Sequence, residues 1–198
     1  MLYAATGDAG VGDNAQDPGS PAGKILRVTP EGEVPADNPV AGSPVFSLGH
    51  RNVQGLAWDA QGRLWASEFG QNQWDEVNLI VPGGNYGWPV CEGFCGSPDP
   101  QFVEPEVVWS TAEASPSGAA IANEHLFVAA LRGQRLWVVP LNGADLGEPV
   151  PELAGTFGRL RTVEIGPDGW LWLTTSNRDG RGTPAAEDDR VVRFPPAP

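Results

Sequence analysis

The sequence predicts an all-β fold assembled from repeated antiparallel strands. Three observations support this. The 198 residues include 26 Gly and 20 Pro, which suits many turns and short strands and does not suit long helices. The apolar runs are short and rich in β-branched and aromatic residues. One pattern also recurs: an apolar strand, a tight turn usually carrying Gly, then a second strand that opens with Leu followed by an aromatic residue.

The repeat reads as follows. Gly55 to Glu68 is one copy, with its turn at Gln61-Gly62. Thr162 to Thr175 is another, with its turn at Asp168-Gly169. Ala119 to Ala130 is a third, weaker at its turn, and Leu2 to Thr6 is the second half of a fourth. The anchors Leu2, Leu64, Leu126 and Leu171 are 62, 62 and 45 residues apart. Each copy is followed by a further strand: 24–28, 76–81, 135–139 and 190–194. Repeats of about 45 residues made of short antiparallel strands point to β-propeller blades. Segments 7–23 and 82–105, rich in Gly, Pro, Asp and Asn, read as insertions between blades. A helical solenoid shares such periods, but the β-branched strands and the Gly and Pro content argue against it. The chain thus holds about three complete blades and part of another, an open arc of three to four blades cut from a larger ring.

Charge and composition remove several function classes. Acidic residues number 25 against 12 basic, a net charge of −13, which repels a phosphate backbone and opposes nucleic-acid binding. No run of about 18 apolar residues is present, so no transmembrane segment is expected. The Gly-rich stretches lack a phosphate-loop Lys-Ser/Thr pattern. Cys91 and Cys95, with only His50 and His125 as other soft ligands, cannot make a four-ligand zinc site without acidic help. They form either a local disulfide, which implies an oxidising compartment, or two free thiols. Trp58, Trp65, Trp137 and Trp172 lie on alternating strands and are expected in the core, with Trp74 and Trp88 in loops. The run Glu187-Asp188-Asp189 is expected to be a solvated turn.

Overlaying the repeats puts Asp8, Gly70, Arg132 and Asn177 in one equivalent slot, where an inner strand ends. With an offset of 107, Asn52 overlays Arg159 and Gln54 overlays Arg161. Equivalent strand ends of a propeller gather around its axis. Arg51, Arg132, Arg159 and Arg161 are therefore expected at one mouth of the channel. Arginine forks bind carboxylates in a bidentate way, so the cluster asks for an anionic ligand. The competing expectation is that each Arg pairs with a surface carboxylate, which contributes little.

At these residues the chain resembles the soluble pyrroloquinoline-quinone (PQQ) dependent aldose sugar dehydrogenases of the glucose/sorbosone dehydrogenase type. The motifs run in order along nearly the whole chain: Gly7-Asp8, Gly23-Lys24-Ile25-Leu26-Arg27, Gly49-His50-Arg51-Asn52-Val53-Gln54-Gly55-Leu56, Asp75-Glu76-Val77-Asn78-Leu79-Ile80, Asn85-Tyr86-Gly87-Trp88-Pro89 and Leu131-Arg132-Gly133. The resemblance implies a six-bladed β-propeller, of which residues 1–198 would be the C-terminal part of a single domain with the N-terminal blades absent.

The resemblance also implies cofactors and roles. PQQ and a calcium ion would sit in the central mouth. Arg51 and Asn52 would contact the cofactor, with Arg51 near the reactive quinone oxygens as an electrostatic stabiliser. Arg132 would be a basic contact, and Arg159 and Arg161 would hold carboxylates. Asp75 would help shape the site. Calcium would be held partly by the carbonyls of Gly70 and Gln71, where Gln71 replaces the family's Pro. Phe69 stands where some relatives carry a polar contact. Glu76 and the Tyr86 carbonyl match a second, structural calcium site, since oxygen ligands suit calcium. The family's general-base His lies about two dozen residues before the Gly-Asp turn. Met1 stands only six residues before Gly7, so that His would lie upstream of Met1. His50 is expected to have a packing role and His125 to be exposed, so the chain alone is expected to lack turnover.

The implied chemistry is oxidation of an aldose at C1, with two electrons leaving to an external acceptor and a periplasmic or secreted location. Two rivals stand beside it. One is a non-enzymatic propeller that binds a protein or glycan through its loops. The other is a calcium-dependent lactonase, for which Asp8 and Asn177 would be axial ligands.

Overall fold

The computed structural model describes residues 1–96, 101–143 and 145–195. Residues 97–100 of the expected second insertion lie outside the described residues. The described chain has no α-helix and only one short 3-10 turn, Gly12–Ala15.

Four antiparallel sheets follow one another along the chain. The first pairs β1 (Leu2–Ala5), β2 (Lys24–Val28) and β3 (Val45–Leu48). The second orders β4 (Val53–Trp58), β5 (Leu64–Glu68), β6 (Trp74–Ile80) and β7 (Val107–Ser110). The third orders β8 (Pro116–Ala122), β9 (His125–Ala130) and β10 (Arg135–Asn142), with β11 (Asp145–Leu146) and β12 (Val150–Glu152) both pairing β10. The fourth pairs β13 (Leu160–Ile165), β14 (Leu171–Thr175) and β15 (Val191–Phe194). Sequential up-and-down order within each sheet is the blade pattern expected from the repeats. The hairpins β4–β5, β8–β9 and β13–β14 are the three full copies, and β1 is the half copy.

Alternating side chains pack the sheets face to face, in three cores between four sheets. Ile25, Phe46, Leu64, Ile80 and Tyr86 fill the space between the first two. Trp65, Val77, Trp109, Val128 and Trp137 fill the second gap, where Trp109 and Trp137 stack with centroids 5.2 Å apart. Phe127, Leu136, Leu160, Val163 and Leu173 fill the third. Burying each such side chain stabilises the fold by about 2–3 kcal/mol. Of the tryptophans expected in the core, Trp65 and Trp137 are buried, Trp172 is half-buried and Trp58 is exposed. Trp58 lies on the opposite face of β4 from Val53, Gly55 and Ala57, and packs edge-on against Tyr3.

The inner strands β4, β8 and β13 lie side by side at the hub. A Cβ on Gly55 would meet the Ser117 carbonyl oxygen at 2.5 Å, and one on Gly118 would meet Thr162 Cα at 2.9 Å. Glycine is what lets these backbones approach. Each inner strand also has a bulge at the same end, between Val53 and Gly55, Pro116 and Ala119, and Leu160 and Thr162. Gln54 and Arg161 are the extra residues of the first and third bulges, as the offset of 107 places them. Bulges re-aim side chains at strand ends, and here they sit where the arginines gather.

Candidate functional site

The bulged ends of the inner strands open onto a cavity of about 440 Å³. Arg51, Arg132 and Arg159 line it together with Phe69, Gly70, Gln71 and Asp75. Arg181, which the repeats did not single out, is a fourth arginine in its wall. Arg161 lies beside the cavity: its Nη2 is 4.0 Å from Asp179 Oδ2, and Arg159 Nε and Nη2 donate to that same oxygen at 3.1 and 2.9 Å. Asn52 stands further out, in a bridge with Gly7. The other members of the equivalent slot have structural roles. Asp8 Oδ2 accepts from the Trp88 indole at 3.0 Å, and Asn177 Oδ1 accepts the Arg159 N–H at 2.8 Å. That engagement argues against the axial-ligand role the lactonase rival requires of them.

Arg51 is held by neutral acceptors. Its Nε donates to Gln71 Oε1 at 2.7 Å, its Nη1 donates to the Phe69 carbonyl at 3.1 Å, and its guanidinium lies 5.9 Å from the centre of the Trp88 ring. Its backbone is fixed from below. Oε1 of buried Glu68 accepts the N–H of Arg51 and, at 3.2 Å, that of Asn52. Oε2 of Glu68 meets His50 Nδ1 at 2.9 Å, and His50 Nε2 meets Ser47 Oγ at 2.8 Å. His50 thus has the packing role expected, stacked on Tyr86 at 4.6 Å. His125 is half-buried rather than exposed, with Nδ1 bonded to the Asn123 carbonyl. Met1 is 59% exposed just before β1 and takes no part in the cavity wall. That wall holds no histidine among the described residues.

A second carboxylate organises the loop that carries Gly70 and Gln71. Glu92 Oε1 accepts the N–H groups of Gln71, Asn72, Gln73 and Trp74 at 2.8 to 3.1 Å. Burial works to raise its pKa, and these four donors outweigh that and lower it. With the N–H groups turned to Glu92, the carbonyls face away, and those of Asn72 and Gln73 meet Thr111 in the cavity wall. Gln71, in place of the family's Pro, supplies an N–H that Pro lacks and a side-chain acceptor for Arg51. Asp75 accepts from the Gly70 and Ser115 N–H groups at 2.9 and 2.6 Å, and burial pushes it up to about 6.

Glu76, on β6, lines a small cavity with Glu68, Tyr86 and Glu92. Burial, and then the neighbouring Glu68 carboxylate, push Glu76 up to about 8. Beside it, buried Asn78 Oδ1 has no hydrogen-bond partner among the described residues. The Tyr86 hydroxyl is committed, donating to the Leu79 carbonyl at 2.7 Å and accepting from Val81 at 2.9 Å, so the carbonyl is what Tyr86 has left to offer.

Other expectations resolve here. Cys91 and Cys95 form a disulfide in the loop that carries Glu92. The run Glu187-Asp188-Asp189 is more than a solvated turn: Asp188 Oδ2 accepts from Asn177 Nδ2 and Asp189 Oδ1 accepts the Asn177 N–H. Trp88 is half-buried beside Arg51, while Trp74 opens β6 and lies outside the main cavity wall.

The family described as Glucose / Sorbosone dehydrogenase matches residues 1–184. The chain belongs to that family. It is 55% identical to the PQQ-bound aldose sugar dehydrogenase of Streptomyces coelicolor, with a TM-score of 0.93 over 98% of this chain and 57% of that one. It is 48% identical to a glucose dehydrogenase-type oxidoreductase of Thermus thermophilus, with a TM-score of 0.90 over 97% of this chain and 60% of that one. Aldose sugar dehydrogenase YliI of Escherichia coli is 32% identical over 90% of this chain and 55% of its own length. This glucose/sorbosone dehydrogenase chain spans about half the length of the curated relatives it matches.

The four arginines of the cavity wall fit the anionic group that the family implies, while among the described residues no three His, Cys, Asp or Glu side chains gather as a metal cluster, so a calcium ion there would depend on carbonyl oxygens. Guanidinium forks suit a tricarboxylate such as PQQ, and carbonyl and carboxylate oxygens suit calcium.

Proposed function

We propose that residues 1–198 are one part of a single propeller domain that oxidises aldose sugars at C1 to the lactone with PQQ and calcium, passing the electrons to an external acceptor. The observation that carries this is the convergence of Arg51, Arg132, Arg159 and Arg181 on one cavity of a chain whose net charge is −13. Such a gathering of like charge is stabilised by an anionic ligand.

Bound there, PQQ would supply a two-electron acceptor for the C1 hydride and calcium would supply a Lewis acid. Arg51 would hold positive charge beside the quinone oxygens, where it would stabilise developing negative charge. Arg132 and Arg159 of the cavity wall, with Arg161 beside it, would hold the carboxylates, and Asn52 would add a neutral contact. Asp75 keeps the Gly70 turn in place so that the Gly70 and Gln71 carbonyls can hold calcium. Glu76 and the Tyr86 carbonyl would hold a second calcium.

Neither histidine of this chain is placed to take the C1 proton. Both ring nitrogens of His50 are engaged and the ring is buried, and His125 opens β9 at the end away from Arg132. The chain alone is therefore expected to bind the quinone and not to turn over. A periplasmic or secreted location accords with the disulfide, and no described helix is long and apolar enough to cross a membrane.

The test is a titration of the chain with PQQ in excess calcium, followed by addition of glucose and a redox dye. Saturable binding that Arg51→Gln weakens, without dye reduction, is the expected result. A chain that shows no calcium-dependent affinity for PQQ is instead a non-enzymatic binding propeller. Robust dye reduction would overturn the account of the histidines.

A further inference from the structure

We infer that Arg181 is a further carboxylate-binding residue of the cavity, reaching its wall from the loop between β14 and β15. The inference rests on the proposed quinone site and adds a residue that the repeat overlay does not reach.

Three observations support it. The loop is built to hold Arg181 in the cavity wall. Asp179 Oδ1 accepts the Arg181 N–H at 2.9 Å while Oδ2 accepts from Arg159, so one carboxylate ties the backbone of one arginine to the side chain of another. A Cβ on Gly182 would meet Asn177 at 2.6 Å and Arg159 Cδ at 2.9 Å, so the loop turns tightly against Arg159 just after Arg181. The second observation is the contrast with neighbouring Arg178, whose guanidinium is satisfied by the carbonyls of Ala185, Ala186 and Asp188.

Third, Arg181 and Arg132 both line the cavity, each exposed to solvent, and among the described residues neither side chain makes a hydrogen bond or an ion pair. The chain has 25 acidic residues, yet no described one neutralises either arginine. Unpaired cations in one concave wall repel one another until an anion arrives, and a planar fork fits a carboxylate better than a point charge does.

The experiment titrates the unsubstituted chain, Arg181→Gln and Arg181→Lys with PQQ in excess calcium, read by quenching of tryptophan fluorescence at several salt concentrations. Thermal melting is recorded for each without PQQ. The expected result is a dissociation constant raised about tenfold in Arg181→Gln with a shallower salt dependence. Arg181→Lys should fall between, because it keeps the charge and loses the fork. Melting temperatures should agree among the three, since the side chain has no partner among the described residues. If Arg181→Gln binds PQQ as the unsubstituted chain does, this inference fails and the quinone site stands. That outcome would include the case in which Arg181 reads a carboxylate on an acidic sugar instead. If the unsubstituted chain binds no PQQ, both fail.

Discussion

His50 Nδ1 stands 2.9 Å from Oε2 of Glu68, with both side chains buried. The remaining oxygen of Glu68 holds the backbone of Arg51 and Asn52, so this pair connects a core histidine to the mouth of the cavity. A carboxylate accepts only, so Nδ1 donates, and in the neutral ring Nε2 then accepts the Ser47 hydroxyl. Glu68→Ala would leave one buried and two part-buried donors without an acceptor, at a cost of about 2–4 kcal/mol. Glu68→Gln should cost clearly less. Its amide oxygen can still serve Arg51 and Asn52, and its NH2 can donate to Nδ1 once the His50 tautomer inverts and Nε2 donates to Ser47. Urea unfolding of the two variants checks this, and equal losses would show that the network is not what fixes Arg51.

Asp59 controls an acid-dependent part of the stability at the opposite end of the second sheet. Its carboxylate accepts from the Trp65 indole at 2.9 Å, from the N–H groups of Gln61 and Arg63 at 2.9 Å, and from Arg63 Nε at 2.6 Å. Burial works to raise its pKa, but these donors outweigh burial and lower it. The folded value lies below the unfolded one of about 3.9. The resulting stability is therefore present above about pH 4 and is lost as pH falls through the folded value. Asp59→Asn turns an amide NH2 toward the Trp65 and Arg63 donors and should cost about 1–3 kcal/mol at pH 7. Its stability should then fall less steeply below pH 4 than that of the unsubstituted chain. Urea midpoints measured from pH 3 to 7 give the comparison, and parallel acid limbs would rule out Asp59 as the source.

Two glycines of the same hairpin should respond very differently to alanine. A Cβ on Gly55 would lie 2.5 Å from the Ser117 carbonyl oxygen and 2.6 Å from the Ala119 nitrogen, both rigid backbone of the adjoining blade. Gly55→Ala must push two sheets apart at the hub and should cost about 2 kcal/mol or more. Gly62 sits at φ +77° with open space around it. Gly62→Ala meets only the left-handed backbone penalty, about 1 kcal/mol. Thermal melting ranks them, and a Gly62 variant as damaged as the Gly55 variant would contradict the close approach of β4 and β8.

The sequence made the blades legible because each hairpin combines period-two alternation with a turn residue at a fixed place. Arg51, Arg132 and Arg159 were legible for the same reason: a repeat brings equivalent strand ends to one axis. Arg181 escaped because it belongs to the loop after β14, beyond the slot that the anchors define. Glu68 and Glu92 escaped because their partners are mostly backbone N–H groups, which carry no sequence signature. Trp58 was misplaced into the core because alternation shows that two faces exist and not which face a neighbouring sheet covers.

Calcium should stabilise the chain through Glu76. Glu76 and Glu68 share a small cavity, and their mutual repulsion adds to the burial that holds Glu76 at about 8. Asn78, whose Nδ2 donates to Glu76 Oε2 and whose Oδ1 is unpartnered among the described residues, and Tyr86 in the cavity wall would offer neutral oxygens. A divalent cation would draw Glu76 into its ionised form, and an oxygen donor set suits calcium better than magnesium, which demands a tight octahedron. A ligand at a hundred times its dissociation constant stabilises by about 2.7 kcal/mol. For a domain of this size that amounts to roughly 5–10 °C in melting temperature. The expected outcome is a rise of that order with excess calcium, a smaller one with magnesium, and reversal by a chelator. Glu76→Gln should abolish the calcium increment while melting close to the calcium-free chain, because near neutral pH it replaces a carboxyl that is already mostly protonated. An undiminished increment in Glu76→Gln would move the calcium elsewhere, and no increment in the unsubstituted chain would remove it from this cavity.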